Sequence, residues 1–325
     1  MSKTKWLGRS LVGLALVVGV LVVVIALRQD RKFSAPWPAL QASQDPAVVE
    51  RGRYLVRGLG HCVDCHADPG ERERSGQDAP LSGGHSWTLP VGTFYSSNIT
   101  PDDETGIGKR TDAEIARMLR HGVRPDGRAL VPFMRFANLA DDDLQAIVSY
   151  LRSMAPVHHQ VKAHEPNALG RIVSAFVLEP VGPTGTPPAT VKREVSAEYG
   201  RYLANGVGGC ATCHTKISMK TGAFEAPVFS GGSEIPSETD ASKIYVTPNL
   251  TPHPTEGWLE GWGEDAFVAR LRGGRVHADS PMPWESYRGV SEDDARSIYR
   301  YLRSLPAAPG GPNTKTRAVL ASAGH

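Results

Sequence analysis

Residues 52–66 read GRYLVRGLGHCVDCH and residues 200–214 read GRYLANGVGGCATCH, so one block of this 325-residue chain returns 148 residues later. Other blocks return in the same order at nearly the same spacing. They are Ser82-Gly83-Gly84 with Ser230-Gly231-Gly232, Asn98-Ile99-Thr100-Pro101 with Asn249-Leu250-Thr251-Pro252, Leu119-Arg120 with Leu271-Arg272, and Tyr150-Leu151-Arg152-Ser153 with Tyr301-Leu302-Arg303-Ser304. A repeat with a fixed order and a nearly constant offset predicts two copies of one domain.

The repeat sets the predicted domain boundaries. The first domain is predicted over residues 46–154 and the second over residues 196–305, each about 110 residues long, which is an ordinary size for a small domain. Residues 155–195 are rich in proline, glycine and histidine and predict an inter-domain linker. Within it, residues 169–178 are apolar enough to pack across both domains. The tail, residues 306–325, is predicted to be disordered.

Each copy has the sequence pattern of a helical domain. Thr111 and Glu114 have the spacing of a capping box ahead of an apolar helix, and Ser291 begins a similar helix near the end of the second copy. No convincing alternation of apolar and polar residues indicates a strand. The predicted fold class is therefore all-α, with long loops at residues 68–108 and 215–262 that need something to order them.

The N-terminus carries an apolar run, Leu11 to Leu27, without a charged residue. As a helix it would be about 26 Å long, close to the thickness of a bilayer's hydrocarbon core. We predict that residues 1–32 form a single transmembrane anchor and that residues 33–45 tether it to the first domain. A signal peptide cleaved near Val24-Ile25-Ala26 is the alternative. Basic residues flank both ends of the run, so charge alone does not set its orientation.

The net charge of the chain limits the kinds of partner that it could bind. The formal net charge is +2, and six of the basic residues lie within the first 32 positions. The rest of the chain is mildly acidic and has no concentrated basic face. We therefore expect no nucleic-acid binding.

Both repeated blocks end in C-x-x-C-H, the pattern that attaches a c-type haem. Two cysteines three residues apart lie on one helical turn, so they can form thioethers with the two vinyl groups of one porphyrin. The histidine that follows is then carried beneath the ring as an iron ligand. The sequence predicts two covalently bound haem c groups. The attachment residues are Cys62, Cys65, Cys210 and Cys213, and the axial histidines are His66 and His214.

Paired cysteines have three other common uses in proteins. A four-cysteine zinc site normally has its two pairs within about 20 residues of each other, whereas these pairs are far apart. A thioredoxin-like redox pair needs a βαβ setting, which the sequence lacks. A disulfide across a single helical turn is strained. Haem attachment also explains the adjacent histidines, which the alternatives do not.

The repeat also selects the second axial ligand. Only Met134 and Met282 occupy corresponding positions in the two copies, each beside a proline and each 68 residues after its haem histidine. The other methionines are expected to pack in the core. No second histidine pair recurs at the offset, so His61, His85, His121, His253 and His277 are expected in surface or loop roles. Histidine and methionine together fill both axial positions, which suits electron transfer.

The landmarks of each copy resemble a known family. Asn98 to Asp102, then Thr105 to Gly108, a capped helix and a proline-containing methionine loop are similar to the cytochrome c subunits of membrane-bound bacterial alcohol and gluconate dehydrogenases. The resemblance covers most of residues 46–305. It implies a helical class I cytochrome c fold for each of the two tandem domains, whereas the single N-terminal transmembrane helix predicted from the apolar run departs from the family. The chain departs from the family in having two haem motifs instead of three, and in placing Arg135 after Met134 where a proline is usual.

The resemblance further implies a role and a location. The chain is expected to be an electron carrier, with no catalytic residues of its own, on the periplasmic side of the bacterial inner membrane. Its donor would be a periplasmic flavo- or quinoprotein dehydrogenase subunit. Its acceptor would be quinone, a soluble cytochrome or a terminal oxidase. A dihaem cytochrome c peroxidase is the enzyme alternative, and a haem-based sensor is a third; the first needs a haem with an exchangeable ligand, and the second needs a signalling domain.

Overall fold

The computed structural model describes residues 3–134, 136–218, 224–225, 227–237, 243–277, 280–310 and 319–321, with only the backbone of residues 3–9 and 319–321. Its helices are α1 Lys3–Arg28, α2 Pro46–Arg57, α3 Cys62–His66, α4 Pro69–Ser75, α5 Asp112–His121, α6 Asp141–Ser153, α7 Ala168–Phe176, α8 Ala197–Tyr202, α9 Cys210–Cys213, α10 Glu264–Arg272, α11 Trp284–Tyr287 and α12 Glu292–Ser304. Its strands are β1 Ser86–Leu89, β2 Gly92–Tyr95, β3 Glu165–Pro166, β4 Glu234–Pro236, β5 Lys243–Val246 and β6 Val319–Ala321. A 3₁₀ turn at Gly76–Asp78 follows α4, and a π-helical turn at Leu203–Val207 follows α8.

In each repeat the first helix crosses the last helix at a glycine. Helix α2 packs against α6, and α8 packs against α12. A Cβ atom on Gly52 would lie 1.9 Å from the Ala146 carbonyl oxygen, and a Cβ atom on Gly200 would lie 1.8 Å from the Ser297 carbonyl oxygen. Only glycine allows the two backbones to approach so closely. This crossing explains why glycine opens the repeated Gly-Arg-Tyr-Leu sequence.

The predicted helix starts are confirmed. The Thr111 side chain accepts a hydrogen bond from the Glu114 backbone, and the Glu114 carboxylate accepts one from the Thr111 backbone, completing the capping box of α5. The Ser291 side chain caps α12 by accepting a hydrogen bond from the Asp294 backbone. Capping satisfies amide groups that a helix leaves without partners at its first turn.

The prediction of an all-α fold is wrong. About 41% of the chain is helical, but 8% is in strands. In the first repeat β1 and β2 form an antiparallel hairpin, and β3 from the linker pairs with β2. These strands have two to four residues each, too few for alternation to stand out in a sequence.

A second small sheet has the order β4-β5-β6, with antiparallel pairs throughout. Strand β6 lies within residues 306–325, the predicted tail, so part of that segment pairs with the second repeat. The intervening residues 311–318 and the last residues 322–325 lie outside the described residues. Both sheets use residues from beyond the repeat core, which is why the repeated sequence alone did not indicate them.

The two repeats share one hydrophobic core. Buried side chains from both repeats form a continuous cluster, among them Leu55, Leu59, Leu81, Leu144 and Val148 from the first and Leu203, Val207, Phe229, Leu259 and Ile298 from the second. The contact is close, since a Cβ atom on Gly208 would lie 3.2 Å from the Leu59 side chain. Burial of apolar surface between the repeats therefore helps to hold them together.

Helix α1 contains the apolar run and packs against α7. Among the described residues, one helix, Ser10–Arg28, is long and apolar enough to cross a membrane by length and composition, a test that a signal sequence also passes. Residues 169–178 were expected to pack across both domains. Helix α7, which covers most of them, instead lies between α1 and the turn of the β1–β2 hairpin. Three of its large apolar side chains, those of Leu169, Ile172 and Phe176, are exposed.

Candidate functional site

A single cavity of about 850 Å³ reaches both C-x-x-C-H motifs. This volume is near the upper end of the roughly 300–1,000 Å³ usual for ligand sites. Its wall includes every residue that the sequence singled out for haem binding, namely Cys62, Cys65, His66, Met134, Cys210, Cys213, His214 and Met282. The fold therefore brings together residues that are up to 220 positions apart in the sequence.

The two motifs lie on short helices that begin in the same way. In α3 the residue before the first cysteine is His61, with φ of 40°, and in α9 it is Gly209, with φ of 57°. Both are in the left-handed region, which turns the chain sharply into the helix. One helical turn then carries each cysteine pair to the cavity wall.

The two motif histidines have the hydrogen bonds expected of iron ligands. His66 Nδ1 lies 2.8 Å from the Ser97 carbonyl oxygen, and His214 Nδ1 lies 3.2 Å from the Pro248 carbonyl oxygen. A carbonyl oxygen can only accept, so Nδ1 carries the proton in each ring and Nε2 keeps its lone pair for a metal. Metal-binding histidines usually have such a partner, because it fixes the ring orientation and raises ligand basicity.

Electrostatics favours the neutral form of both imidazoles. Burial lowers the pKa of His66 and of His214, and the backbone carbonyls only partly oppose it. Desolvation penalises the charged ring, so it favours the neutral form of each histidine, which is the form that binds metal. The donor set and its protonation therefore fit a c-type haem in each repeat.

The first cysteine of each motif is a poor thiolate. Burial, reinforced by the neighbouring cysteine of the motif, raises the pKa of Cys62 and of Cys210 to about 12. A thiol with so high a pKa stays protonated near neutral pH, unlike the reactive cysteine of a thioredoxin-like pair. A four-cysteine zinc site gains no support either, because the described residues contain no group of three or more His, Cys, Asp or Glu side chains placed to hold a metal ion.

The repeated Ser-Gly-Gly sequence packs against each histidine. The Gly83 amide donates to the His66 carbonyl at 2.7 Å, and the Gly231 amide donates to the His214 carbonyl at 2.8 Å. Both glycines have positive φ, and a Cβ atom on Gly83 would lie 2.5 Å from the backbone of Ser97. The glycine thus lets the loop that supplies the Ser97 carbonyl lie directly against the motif.

The repeated asparagine holds that loop in place. Asn98 donates to the Val157 carbonyl at 2.8 Å, and Asn249 donates to the Ala308 carbonyl at 2.8 Å. In each repeat the asparagine side chain also accepts bonds from the threonine two residues later. Buried polar groups with all partners satisfied are rigid, so the carbonyls that orient the two histidines are fixed from both sides.

The methionines lie in loops built differently in the two repeats. The loop of Met282 is tied to its neighbours, because Trp284 donates its indole N–H to Ser280 Oγ at 3.1 Å and the Arg270 guanidinium lies 3.5 Å from the Trp284 ring. Beside Met134, the ring of Phe133 stacks on that of Trp87 with 5.0 Å between centroids. Residue 135, whose arginine departs from the family pattern, lies outside the described residues.

Other methionines have the expected role where the structure describes them. Met118 and Met154 are partly buried and pack against the shared core. Met219 lies outside the described residues. Met134 and Met282 are therefore the methionines that line the cavity among those described.

Sequence reasoning missed several cavity residues. His85 was expected in a surface or loop role but is buried, with its ring 4.5 Å from that of Trp87, and both line the cavity. His61 also lines it, beside Tyr287 of the second repeat. Four arginines do the same and could pair with acidic groups of a cofactor: Arg72, Arg124, Arg270 and Arg275. The repeat carried a signal for two of them that was overlooked, because Arg124 and Arg275 are 151 residues apart, at the repeat offset. It gave no such signal for Arg72 and Arg270.

Comparison with known proteins finds that the chain is similar to several c-type cytochromes. No protein-family model matches it. It is 33% identical over 308 residues to the cytochrome c subunit of the quinone-dependent alcohol dehydrogenase of Gluconobacter oxydans, covering 86% of this chain and 60% of that protein. It is also 33% identical over 285 residues to the gluconate 2-dehydrogenase cytochrome c subunit of Pantoea cypripedii, covering 80% of this chain and 60% of that one.

A third relative matches in length as well. The diheme c-type cytochrome of Cereibacter sphaeroides is 29% identical over 317 residues, covering 90% of this chain and 98% of that protein. By contrast, the chain spans about 60% of the length of the dehydrogenase subunits. The resemblance seen in the sequence is confirmed: the chain is a homologue of dehydrogenase cytochrome c subunits and of a diheme cytochrome c. These relatives imply covalently bound haem c and a role in electron transport.

Proposed function

We propose that the chain is a dihaem electron carrier, with one haem c attached in each repeat. Cys62 and Cys65 would attach the first haem, and Cys210 and Cys213 the second. The axial pairs would be His66 with Met134 and His214 with Met282. The observation that carries the proposal is the single cavity that both motifs line, in which each histidine has its Nδ1 bonded to a backbone carbonyl.

The protein's own groups would set the properties of the sites. Bound haem supplies one-electron redox chemistry. A methionine thioether would favour reduced iron and raise the potential, and the hydrogen bond from each imidazole to a backbone carbonyl would raise the basicity of that histidine as a ligand. If His66 with Met134 and His214 with Met282 bind the two irons, side chains fill both axial positions and neither repeat would offer a vacant position for substrate. This arrangement supports an electron carrier over the dihaem peroxidase alternative.

Contacts between the repeats support electron exchange between the two sites. Asp64, between the cysteines of the first motif, accepts a hydrogen bond from Ser286 Oγ of the second repeat at 2.5 Å. The rings of His61 and Tyr287 are 6.2 Å apart across the same boundary. The first haem motif therefore contacts the second repeat directly, without an intervening layer of protein.

The wider role follows from the relatives. We propose that electrons enter from a flavo- or quinoprotein dehydrogenase subunit and leave to quinone, a soluble cytochrome or a terminal oxidase. Residues 1–32 would anchor the chain in the bacterial inner membrane, with the domains at 46–154 and 196–305 in the periplasm. Maturation of C-x-x-C-H motifs on the outer side of that membrane supports this orientation.

The proposal is tested by counting the haems that stay attached to each chain and the haem irons that can bind carbon monoxide. The purified protein, extracted with acidified acetone, should keep two haems per chain, and the reduced form should not bind carbon monoxide readily. Cys62→Ala and Cys210→Ala should each reduce covalently retained haem. Zinc without iron in the purified protein would refute the proposal, and one haem that binds carbon monoxide readily would favour the peroxidase.

A further inference from the structure

Helix α7 has an exposed apolar face near the C-terminal end of α1. Leu169, Ile172 and Phe176 follow each other at helical spacing, and their side chains are 50%, 40% and 43% exposed. Val177, directly after the helix, is 60% exposed. Apolar side chains three and four residues apart form one stripe along a helix. A contiguous stripe of this kind marks a surface that something covers.

The first turn of α7 is fixed to the first repeat. Asn167 caps the helix by accepting a hydrogen bond from the Gly170 amide at 3.0 Å, and its side chain donates to the Pro90 carbonyl in the β1–β2 turn at 2.9 Å. Gly170 lies so close to this turn that an added Cβ atom would be 2.0 Å from the Val91 carbonyl oxygen. The helix therefore cannot turn its stripe inward without losing this packing.

The last turn of α7 is fixed to the base of α1. The Arg31 guanidinium donates to the Leu178 carbonyl at 2.7 Å, and the Arg28 guanidinium lies 5.4 Å from the Phe176 ring. Arg28 is the first charged residue after the apolar run. Within that run, Val24 and Ile25 are partly buried whereas the residues from Leu11 to Val23 are exposed. Phe176 thus lies at the level where α1 changes from apolar to charged.

We propose that α7 is a second membrane contact, with its Leu169–Ile172–Phe176 stripe inserted into the bilayer surface beside α1. The proposal rests on the anchor role proposed for α1. The contact between α7 and α1 indicates that lipid covers the stripe. If α1 spans the bilayer, this contact places the stripe at the bilayer surface. Amphipathic helices bind membranes by burying such a face at the boundary between headgroups and acyl chains. The basic residues Arg28, Arg31 and Lys32, which follow the apolar run, are typical of that boundary.

The contact would fix how the first haem site faces the membrane. The β1–β2 hairpin, which contacts α7, carries Trp87 and Phe94, and both side chains line the cavity. Two attachment points, α1 and α7, constrain rotation of the first repeat, which a single flexible tether does not. The distance from the first haem to the bilayer surface would then be set by the fold.

Photolabelling from lipid tests this contact in the full-length haem-loaded protein. The protein is reconstituted in vesicles of phosphatidylethanolamine and phosphatidylglycerol that contain a phospholipid with a diazirine in its acyl chain. After illumination, tryptic peptides are analysed by mass spectrometry. Cleavage at Arg171 and Lys192 isolates residues 172–192, and cleavage at Arg9 and Arg28 isolates residues 10–28. Residues 276–288, which include the exposed Val276, serve as an apolar surface control.

We expect lipid adducts on residues 10–28 and 172–192 and none on 276–288. The variant Leu169→Gln/Ile172→Gln should lose most labelling of 172–192 while 10–28 stays labelled, because Phe176 and its contact with Arg28 are kept. Val276→Gln is the matched control and should change neither peptide. An unchanged haem spectrum shows that each variant is folded.

Three results would overturn the proposal, and they are distinguishable. If 10–28 is labelled and 172–192 is not, α1 is an anchor but α7 faces water or another protein. If neither is labelled, the anchor role of α1 fails together with this inference. Labelling of 172–192 that persists in the Leu169→Gln/Ile172→Gln variant would also contradict it, since the stripe would not be what meets the lipid.

Discussion

Tyr54 in the first repeat donates a hydrogen bond to Asp294 in the second, with 2.7 Å between the oxygen atoms. The equivalent tyrosine of the second repeat, Tyr202, donates to the equivalent aspartate of the first, Asp143, also at 2.7 Å. Each repeat therefore contributes the same pair of groups to the other. This reciprocal pattern is that of an interface with two-fold symmetry, formed here within one chain.

The surroundings of the two aspartates break this symmetry. Asp143 also accepts two hydrogen bonds from Arg51, at 2.8 and 2.9 Å, and one from Arg193 at 3.0 Å. Asp294 accepts from Tyr54 and lies beside Ser291. Arginines thus donate hydrogen bonds to the Asp143 carboxylate, whereas the hydrogen bond to the Asp294 carboxylate comes from the neutral Tyr54.

Replacing Tyr54 and Tyr202 by phenylalanine should lower the free energy of unfolding by different amounts. Tyr54→Phe leaves the buried Asp294 carboxylate without its main donor, and we expect a loss of about 1–3 kcal/mol in the free energy of unfolding. Tyr202→Phe is the matched control and should cost less, because two arginines still compensate Asp143. Denaturant unfolding of the haem-loaded protein measures both. Equal losses would contradict the asymmetry.

The two aspartates should also respond to pH in opposite directions. Burial raises the pKa of Asp143, but hydrogen bonds and charge from Arg51, with further contributions from Tyr202 and Arg193, outweigh it and hold that pKa below its ordinary 3.8. A lowered pKa in the folded state gives stability that is present above the unfolded-state pKa and lost as pH falls through the folded-state value. Burial raises the pKa of Asp294 above 3.8. Its contribution is present below the unfolded-state pKa and lost as pH rises through the folded-state value.

Asparagine variants test these signs. Asp143→Asn should cost about 3 kcal/mol or more near neutral pH, because it removes the charge that compensates buried Arg51, and it should flatten the loss of stability on acidification. Asp294→Asn should cost less near neutral pH, because it removes a carboxylate whose ionisation burial disfavours. Unfolding curves over the acid range supply both results. A steeper acid loss in Asp143→Asn would show that the sign is wrong.

Replacing the cavity methionines tests the proposed ligation. Met134→Ala or Met282→Ala should open one haem to carbon monoxide without loss of covalent attachment. Substitution by histidine should keep six-coordinate iron at a lower potential, since a thioether favours reduced iron more than imidazole does. Met118→Ala, at a core position, is the control and should leave the spectra unchanged. Carbon monoxide difference spectra decide the matter, and a double alanine variant that binds no carbon monoxide would disprove the assignment.

The close helix crossings predict that even a methyl side chain at Gly52 or Gly200 lowers the stability of the protein. Gly52→Ala or Gly200→Ala places a methyl group where a backbone oxygen already lies, so the helices must separate, and overpacking of this kind costs about 1–3 kcal/mol or more. Gly185→Ala is a suitable control, because an added Cβ there would have open space. Thermal unfolding should show a lower midpoint for the first two variants only. An unchanged midpoint in Gly52→Ala would mean that the crossing can relax freely.

Features tied to local sequence were predictable. The repeat, the two motif helices and the capping box at Thr111 follow from spacing over a few residues, where backbone geometry alone limits the outcome. The gathering of both motifs around one cavity was not deduced. It depends on contacts such as the hydrogen bond between Tyr54 and Asp294. These two residues are 240 positions apart, and no periodic pattern in the sequence indicates that they meet.

The strands and α7 were missed for a different reason. Strands of four residues or fewer, such as Ser86–Leu89, gain their stability from partners elsewhere in the chain, so their own sequence does not determine them. Residues 169–178 were correctly seen as apolar, but apolarity does not specify a partner. Only the contacts of Asn167 and Arg31 show where this segment lies.

The core common to both repeats has a consequence for how the chain behaves when it is cut. Leu59 meets Gly208, and Tyr54 and Tyr202 cross the boundary, so most of the adhesion between the halves is independent of the covalent connection through residues 155–195. A protease nick in that connection should leave the two fragments associated as a non-covalent heterodimer. Either half produced alone would expose to solvent the apolar surface that the other half normally buries. Such a fragment would tend to aggregate or to pair with a second copy of itself.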